Sequence, residues 1–161
     1  MIISIPEAFE RLREPRLDQP DSAVREAYRL VFYSDLPGRF DIIRAEERTS
    51  EALRFALIVH RVRCDEHLED RIQSWEVDLH EAQWSCLQAL IKVSGFWELP
   101  SKGGRIGIHG YSAALEGQRG GNYHRVSRWC PRHRDDNEWF ELPCTYLGDL
   151  ARWLVPGSAE E

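Results

Sequence analysis

The stretch Leu53–Arg63, LRFALIVHRVR, constrains the fold of this chain more than any other. Successive residues of a strand point to opposite faces of its sheet. Leu53, Phe55, Leu57 and Val59 share one face, and Ala56, Ile58, His60 and Val62 share the other. Both faces are apolar, so this reads as a central strand covered on two sides. Such a strand needs neighbours. Arg25–Tyr33 and Arg39–Arg44 flank Ser34-Asp35-Leu36-Pro37-Gly38, a turn with proline and glycine in their expected roles, and form an expected hairpin. Arg71–Val77 is a fourth strand candidate.

The clearest helix follows. Asp78 and Glu81 have capping-box spacing. Trp84, Leu87, Leu90, Ile91 and Ser94 recur with helical period, and Gly95 is a natural stop. Residues 106–117 and 122–130 read as a second hairpin joined by Gln118-Arg119-Gly120-Gly121. A last helix begins near Pro143 and runs to about Leu154, with Tyr146, Leu147, Leu150, Trp153 and Leu154 as its apolar face. The expected fold class is α+β: an antiparallel sheet with one central helix and a C-terminal helix, in the order β-β-β-β-α-β-β-α. Residues 1–22 form an N-terminal lead-in, opened by a short helix at Pro6. Residues 23–156 form a single α+β domain, and residues 157–161 an acidic tail.

Composition bounds the function. The 161 residues suffice for one real core. A formal net charge of −6 argues against a nucleic-acid partner, because phosphate contacts need a basic face. All the basic residues but Lys92 and Lys102 are arginine, the mark of a GC-rich, bacterial genome. Met1–Pro6 lacks the basic start of a signal peptide, and no apolar run is long enough to cross a bilayer. Cys64, Cys86, Cys130 and Cys144 are irregularly spaced, as expected of free thiols in a cytoplasmic protein. No HExxH, phosphate loop or dinucleotide fingerprint is present, so no cofactor is expected.

The densest polar and aromatic cluster is Ile106 to Pro131. With the second hairpin closed near Gly120-Gly121, Glu116 lies nearly opposite Tyr123 or His124, and Glu116, His124 and Arg128 are expected to share a face. A carboxylate beside an imidazole can do general acid/base work. It can equally be a cross-strand pair that fixes register, and that is the expectation carried forward.

Gly110-Tyr111, Leu115-Glu116, Gly120, Tyr123-His124, Val126, Arg128-Trp129 and Pro131, preceded by Phe96-Trp97-Glu98-Leu99-Pro100, resemble a pattern of uncharacterised small bacterial proteins. The resemblance covers residues 96–131 and implies no established activity. His109-Gly110 stands where the pattern has Asp-Gly. Cys130, His133 and Cys144 form a secondary metal candidate with ligand types that zinc favours. Arg125, Arg128, Trp129, Arg132, His133, Arg134, Trp139 and Phe140 crowd sixteen residues with types enriched at binding hot spots. The expected function is a non-enzymatic, protein-binding domain. Its most concrete form is a bacterial immunity-type protein that neutralises a cognate toxin by direct binding, with Glu116 and His124 among the binding candidates. The alternative is a small hydrolase or metal-dependent enzyme using Glu116 and His124. No nucleic acid and no membrane is expected as a partner.

Overall fold

The computed structural model describes residues 5–19, 21–34, 39–50, 54–63, 71–103, 110–130 and 139–156. A short helix, α1 (Ile5–Leu12), precedes four strands: β1 (Val24–Ser34), β2 (Arg39–Arg48), β3 (Phe55–Arg63) and β4 (Arg71–Asp78). Helix α2 (Glu81–Val93), a 3₁₀ turn (Phe96–Glu98), strands β5 (Tyr111–Arg119) and β6 (Asn122–Trp129), and helix α3 (Glu141–Leu154) complete the chain. The strands make one six-stranded antiparallel sheet in the order β4-β3-β2-β1-β5-β6. The α+β class and the expected order β-β-β-β-α-β-β-α are therefore present, with α1 ahead of them.

The two sheet faces differ in kind. On one, Leu30, Ile43, Leu57, Leu115 and Val126 pack against Trp84, Leu87 and Ile91 of α2 and Leu147 and Leu150 of α3. This is the helix face and the main core. On the other, Phe40, Ile42 and Val62 pack with Ala8 of α1. Beside this smaller cluster the face is polar. Strand β3 is buried along nearly all of its length because each face has a cover. It stands second from the edge, flanked by β2 and β4.

The boundaries differ from expectation where local chemistry had a competitor. Asp78 ends β4 and does not cap α2. His80 holds the N-cap, and its backbone N–H donates to Gln83 Oε1 at 2.8 Å. The helix thus begins two residues later, because Asp78 still pairs with Ala56 in the ladder. Gly95 follows the helix with φ +64°, the left-handed stop read from its position. Strand β2 continues to Arg48, past the expected Arg44. The turn at 35–38, residues 104–109, residues 131–138 and the acidic tail lie outside the described residues. From the lead-in, Ala8, Glu14 and Leu17 are buried against the sheet.

The two sheet edges are also unlike. Beyond β6, the Ser127 N–H donates to Ser101 O at 3.0 Å and Lys102 forms a parallel bridge with Ser127. The chain leaving the 3₁₀ turn therefore closes that edge. Strand β4 is half-exposed along its length. No helix among the described residues is long and apolar enough to cross a membrane.

Candidate functional site

The β5–β6 turn sets the register of every polar residue in the hairpin. Gly120 and Gly121 have φ of +55° and +81°, which a two-residue turn of this hand requires and which side chains resist. Arg119 therefore faces Asn122, and the ladder runs back through Gln118 and Tyr123, Gly117 and His124, to Glu116 and Arg125. Directly opposed residues share a face. Glu116 thus joins Tyr123 and Arg125 on the polar face, while His124 and Arg128 lie on the helix face. The expected face shared by Glu116, His124 and Arg128 does not form. The tight turn places Glu116 opposite neither Tyr123 nor His124, and the two-residue period carries His124 through the sheet.

His124 and Arg128 serve the second layer. His124 Nε2 is 2.9 Å from Leu99 O, and its ring meets Phe96 edge-on at 5.2 Å. Arg128 is 2% exposed, donates to Pro100 O at 3.0 Å, and holds its guanidinium 5.7 Å from the Phe140 ring centre. Together they staple residues 99–100 to β6. Burial removes Arg128 from a binding surface. Trp129 is half-buried at the end of β6, and Trp139 is 45% exposed just before α3. Arg132, Arg134 and His133 lie outside the described residues.

Glu116 belongs instead to a buried ionic chain that crosses the polar face. Its carboxylate accepts from Arg29 Nε at 2.6 Å and from the Tyr123 hydroxyl at 2.9 Å, with Arg125 NH1 at 3.8 Å on the solvent side. Arg29 NH1 reaches Glu14 at 3.2 Å and Pro15 O at 2.7 Å. Glu14 also receives Arg44 Nε at 3.2 Å and lies 2.9 Å from His60 Nε2, while His60 Nδ1 lies 2.8 Å from Ser74 Oγ. Arg44 pairs on with Glu46, Glu46 with Arg48 at 2.6 Å, and Arg48 with Glu76 at 2.7 Å. Carboxylate and guanidinium alternate from β5 to β4. Alternation is what lets so many charges leave water, since each ion has opposite neighbours on both sides.

The electrostatics follow from that order. Burial works to raise the Glu14 carboxyl, but the His60 hydrogen bond and the Arg44 and Arg29 charges outweigh it and hold the group at about 2. Burial depresses Arg44 against the pull of Glu14. Tyr123 is pushed up to about 12 by burial and by the Glu116 carboxylate beside it. Glu14 is thus a fixed anion, and Tyr123 a fixed donor, across ordinary pH.

The sequence reading missed Glu14, Arg29, Arg44 and His60 as a group. The signal was present in part: arginines stand mid-strand among apolar neighbours, in Tyr28-Arg29-Leu30 and Ile43-Arg44-Ala45. An inward arginine needs an anion, and nothing local names Glu14, which comes from before β1.

In front of Glu116 the face opens into a groove of about 240 Å³, walled by Phe9, Val31, Tyr33, Ala114 and Arg125. Tyr33, which lines it, is 39% exposed, and Tyr123, whose hydroxyl donates to Glu116, is 40% exposed. The metal candidate fares differently. Cys144 is buried in the core and its thiol is raised by that burial, which opposes ligation. Cys130 Sγ accepts from the Tyr111 N–H at 3.3 Å. Among the described residues, no three His, Cys, Asp or Glu side chains converge as a metal needs. Compared with family models and with curated proteins, the chain matches none.

Proposed function

We propose that the chain is a protein-binding domain whose recognition surface is the polar face of β1, β5 and β6, centred on Arg125 with Tyr33 and Tyr123 beside it. The carrying observation is that groove: Tyr33 and Arg125 wall it, and Tyr123 hydrogen-bonds the Glu116 of its floor, which the chain on to Arg29 and Glu14 makes rigid. Tyrosine and arginine are anchor types, and a pre-ordered surface loses little entropy on docking. In its most specific form the domain is an immunity-type protein that neutralises a toxin by direct contact. The net charge of −6 steers a basic partner toward it.

The test is a calorimetric titration with the product of the adjacent gene. Binding should weaken by about 2 kcal/mol or more in Arg125→Glu and Tyr33→Ala, the scale of a hot spot. The absence of binding to that product removes the immunity form. Full affinity in both variants removes this surface as the site.

A further inference from the structure

A second recess lies on the polar face of the sheet, between the lead-in and strands β2 and β5. It measures about 240 Å³, below the roughly 300–1,000 Å³ usual for drug-sized ligands, and shares no lining residue with the groove before Glu116. Its position follows from register. Ala27 of β1 pairs with Glu46 of β2 on one side and with Gln118 of β5 on the other, so the three stand in one row on one face. The alanine methyl is too short to fill the space between the two longer side chains. Pro15 and Leu17 of the lead-in, with Val24, give the recess apolar walls.

The charges around it are already met. Arg16 pairs with Asp18 at 2.7 Å, and Asp21 accepts from the Ala23 N–H at 2.9 Å. Arg44 pairs with Glu14 at 3.2 Å and with Glu46, and Arg48 joins Glu46 to Glu76. An ion gains little in such a site, because each charged wall already has its partner. One buried polar group is left over. Gln118 is 4% exposed, yet its side-chain amide has no hydrogen-bond partner among the described residues. It lines the recess, and neither of its polar atoms is fully enclosed. Gln19, the other amide of the wall, is exposed to solvent.

We propose that this recess binds a small, uncharged, planar ring whose edge carries a hydrogen-bond donor beside an acceptor, the chemistry shared by nucleobases and aromatic carboxamides. The Gln118 amide presents N–H donors and a carbonyl acceptor in one plane, and a conjugated edge of the opposite order satisfies both at once. A ring without that edge covers the amide and strands it, at a cost of about tenfold in affinity. The faces of the ring rest on the apolar walls. The site does not depend on the Arg125 surface.

The experiment is a titration of the full chain with cytosine, adenine and nicotinamide, followed by calorimetry and ligand-observed NMR. At least one should bind with a Kd of about 1 mM or tighter and raise the melting temperature. Binding of the bases alone assigns the recess to nucleobases, and binding of nicotinamide alone assigns it to carboxamides. Replacing the amino group of the ligand that binds by methyl keeps its size and its acceptor and removes its donor. That analogue should bind about tenfold or more weakly. Gln118→Met keeps the length of the side chain and removes the amide, and should weaken binding about tenfold while the unliganded chain melts no lower than the native one. The methyl comparison is made on the native chain and decides the matter whether or not the variant folds. The proposal is overturned if none of the three probes binds at that level. It is also overturned if the methyl analogue binds as well as its parent, or if a folded Gln118→Met chain keeps full affinity.

Discussion

Glu14 shows how much one side chain can decide. Its carboxylate is 1% exposed and touches Arg29, Arg44 and His60. Replacing it by glutamine keeps the shape and removes the charge, leaving two buried guanidiniums short of an anion. Glu14→Gln is expected to destabilise the fold by about 3–5 kcal/mol, read from urea unfolding at neutral pH. The same group predicts an acid dependence. Its folded pKa is lowered from 4.5 to about 2, so the native state binds fewer protons than the unfolded chain between those values. Its contribution is complete above pH 4.5 and is lost as pH falls toward 2. At about 1.4 kcal/mol per unit that is about 3 kcal/mol. The stability gap between the native chain and Glu14→Gln should therefore narrow over this range. A constant gap would show that the carboxylate does not hold the network. Arg29 and Arg44 could be seen as inward residues from their strands, but their anion could not, because ion pairing is a contact in space that leaves no periodic trace in the chain.

At the scale of elements, the β5–β6 hairpin makes the sharpest case. Glu116 and His124 were visible as a polar pair in sequence, and a difference of one residue in register decides whether they meet. The turn chooses. Alanine at both Gly120 and Gly121 would force side chains into positive φ at about 1–2 kcal/mol each. Gly120→Asn, which makes the asparagine–glycine pair favoured in such turns, should instead be nearly neutral. Thermal unfolding of the two variants separates them, and equal stability would contradict this turn geometry. Gly117 is required for another reason. A Cβ there would stand 2.7 Å from Phe96 Cε1 and 3.0 Å from Tyr28 Cε1, beneath the aromatic cluster that roofs the hairpin. Gly117→Ala is expected to cost about 1–3 kcal/mol by overpacking, measured in the same melts. Helix α2 was legible from its 3.6-residue period, while its first residue was not. Asp78 satisfies the spacing of a cap but is retained by the β3–β4 ladder.

For the whole molecule, the sheet order places β1 and β2 at the centre and gives its two edges different fates. The β6 edge is covered by residues 101–102, and β4 is half-exposed. Native-state hydrogen exchange should therefore find the backbone amides of β1 protected nearly to the global unfolding free energy, and outward amides of β4 exchanging far faster. Uniform protection across the six strands would contradict this order. The sequence by itself determined the element types, the α+β class, the order of elements and the two-sided burial of β3. These follow from periodicity, turn residues and helix stops, which act between residues a few positions apart. Only the tertiary structure decided which strands became edges, which face His124 and Glu116 each occupy, and that Glu14 would neutralise arginines from two strands. Those outcomes depend on register and on charges brought together across long stretches of chain, where burial makes an unpaired ion so costly that the fold selects its partner.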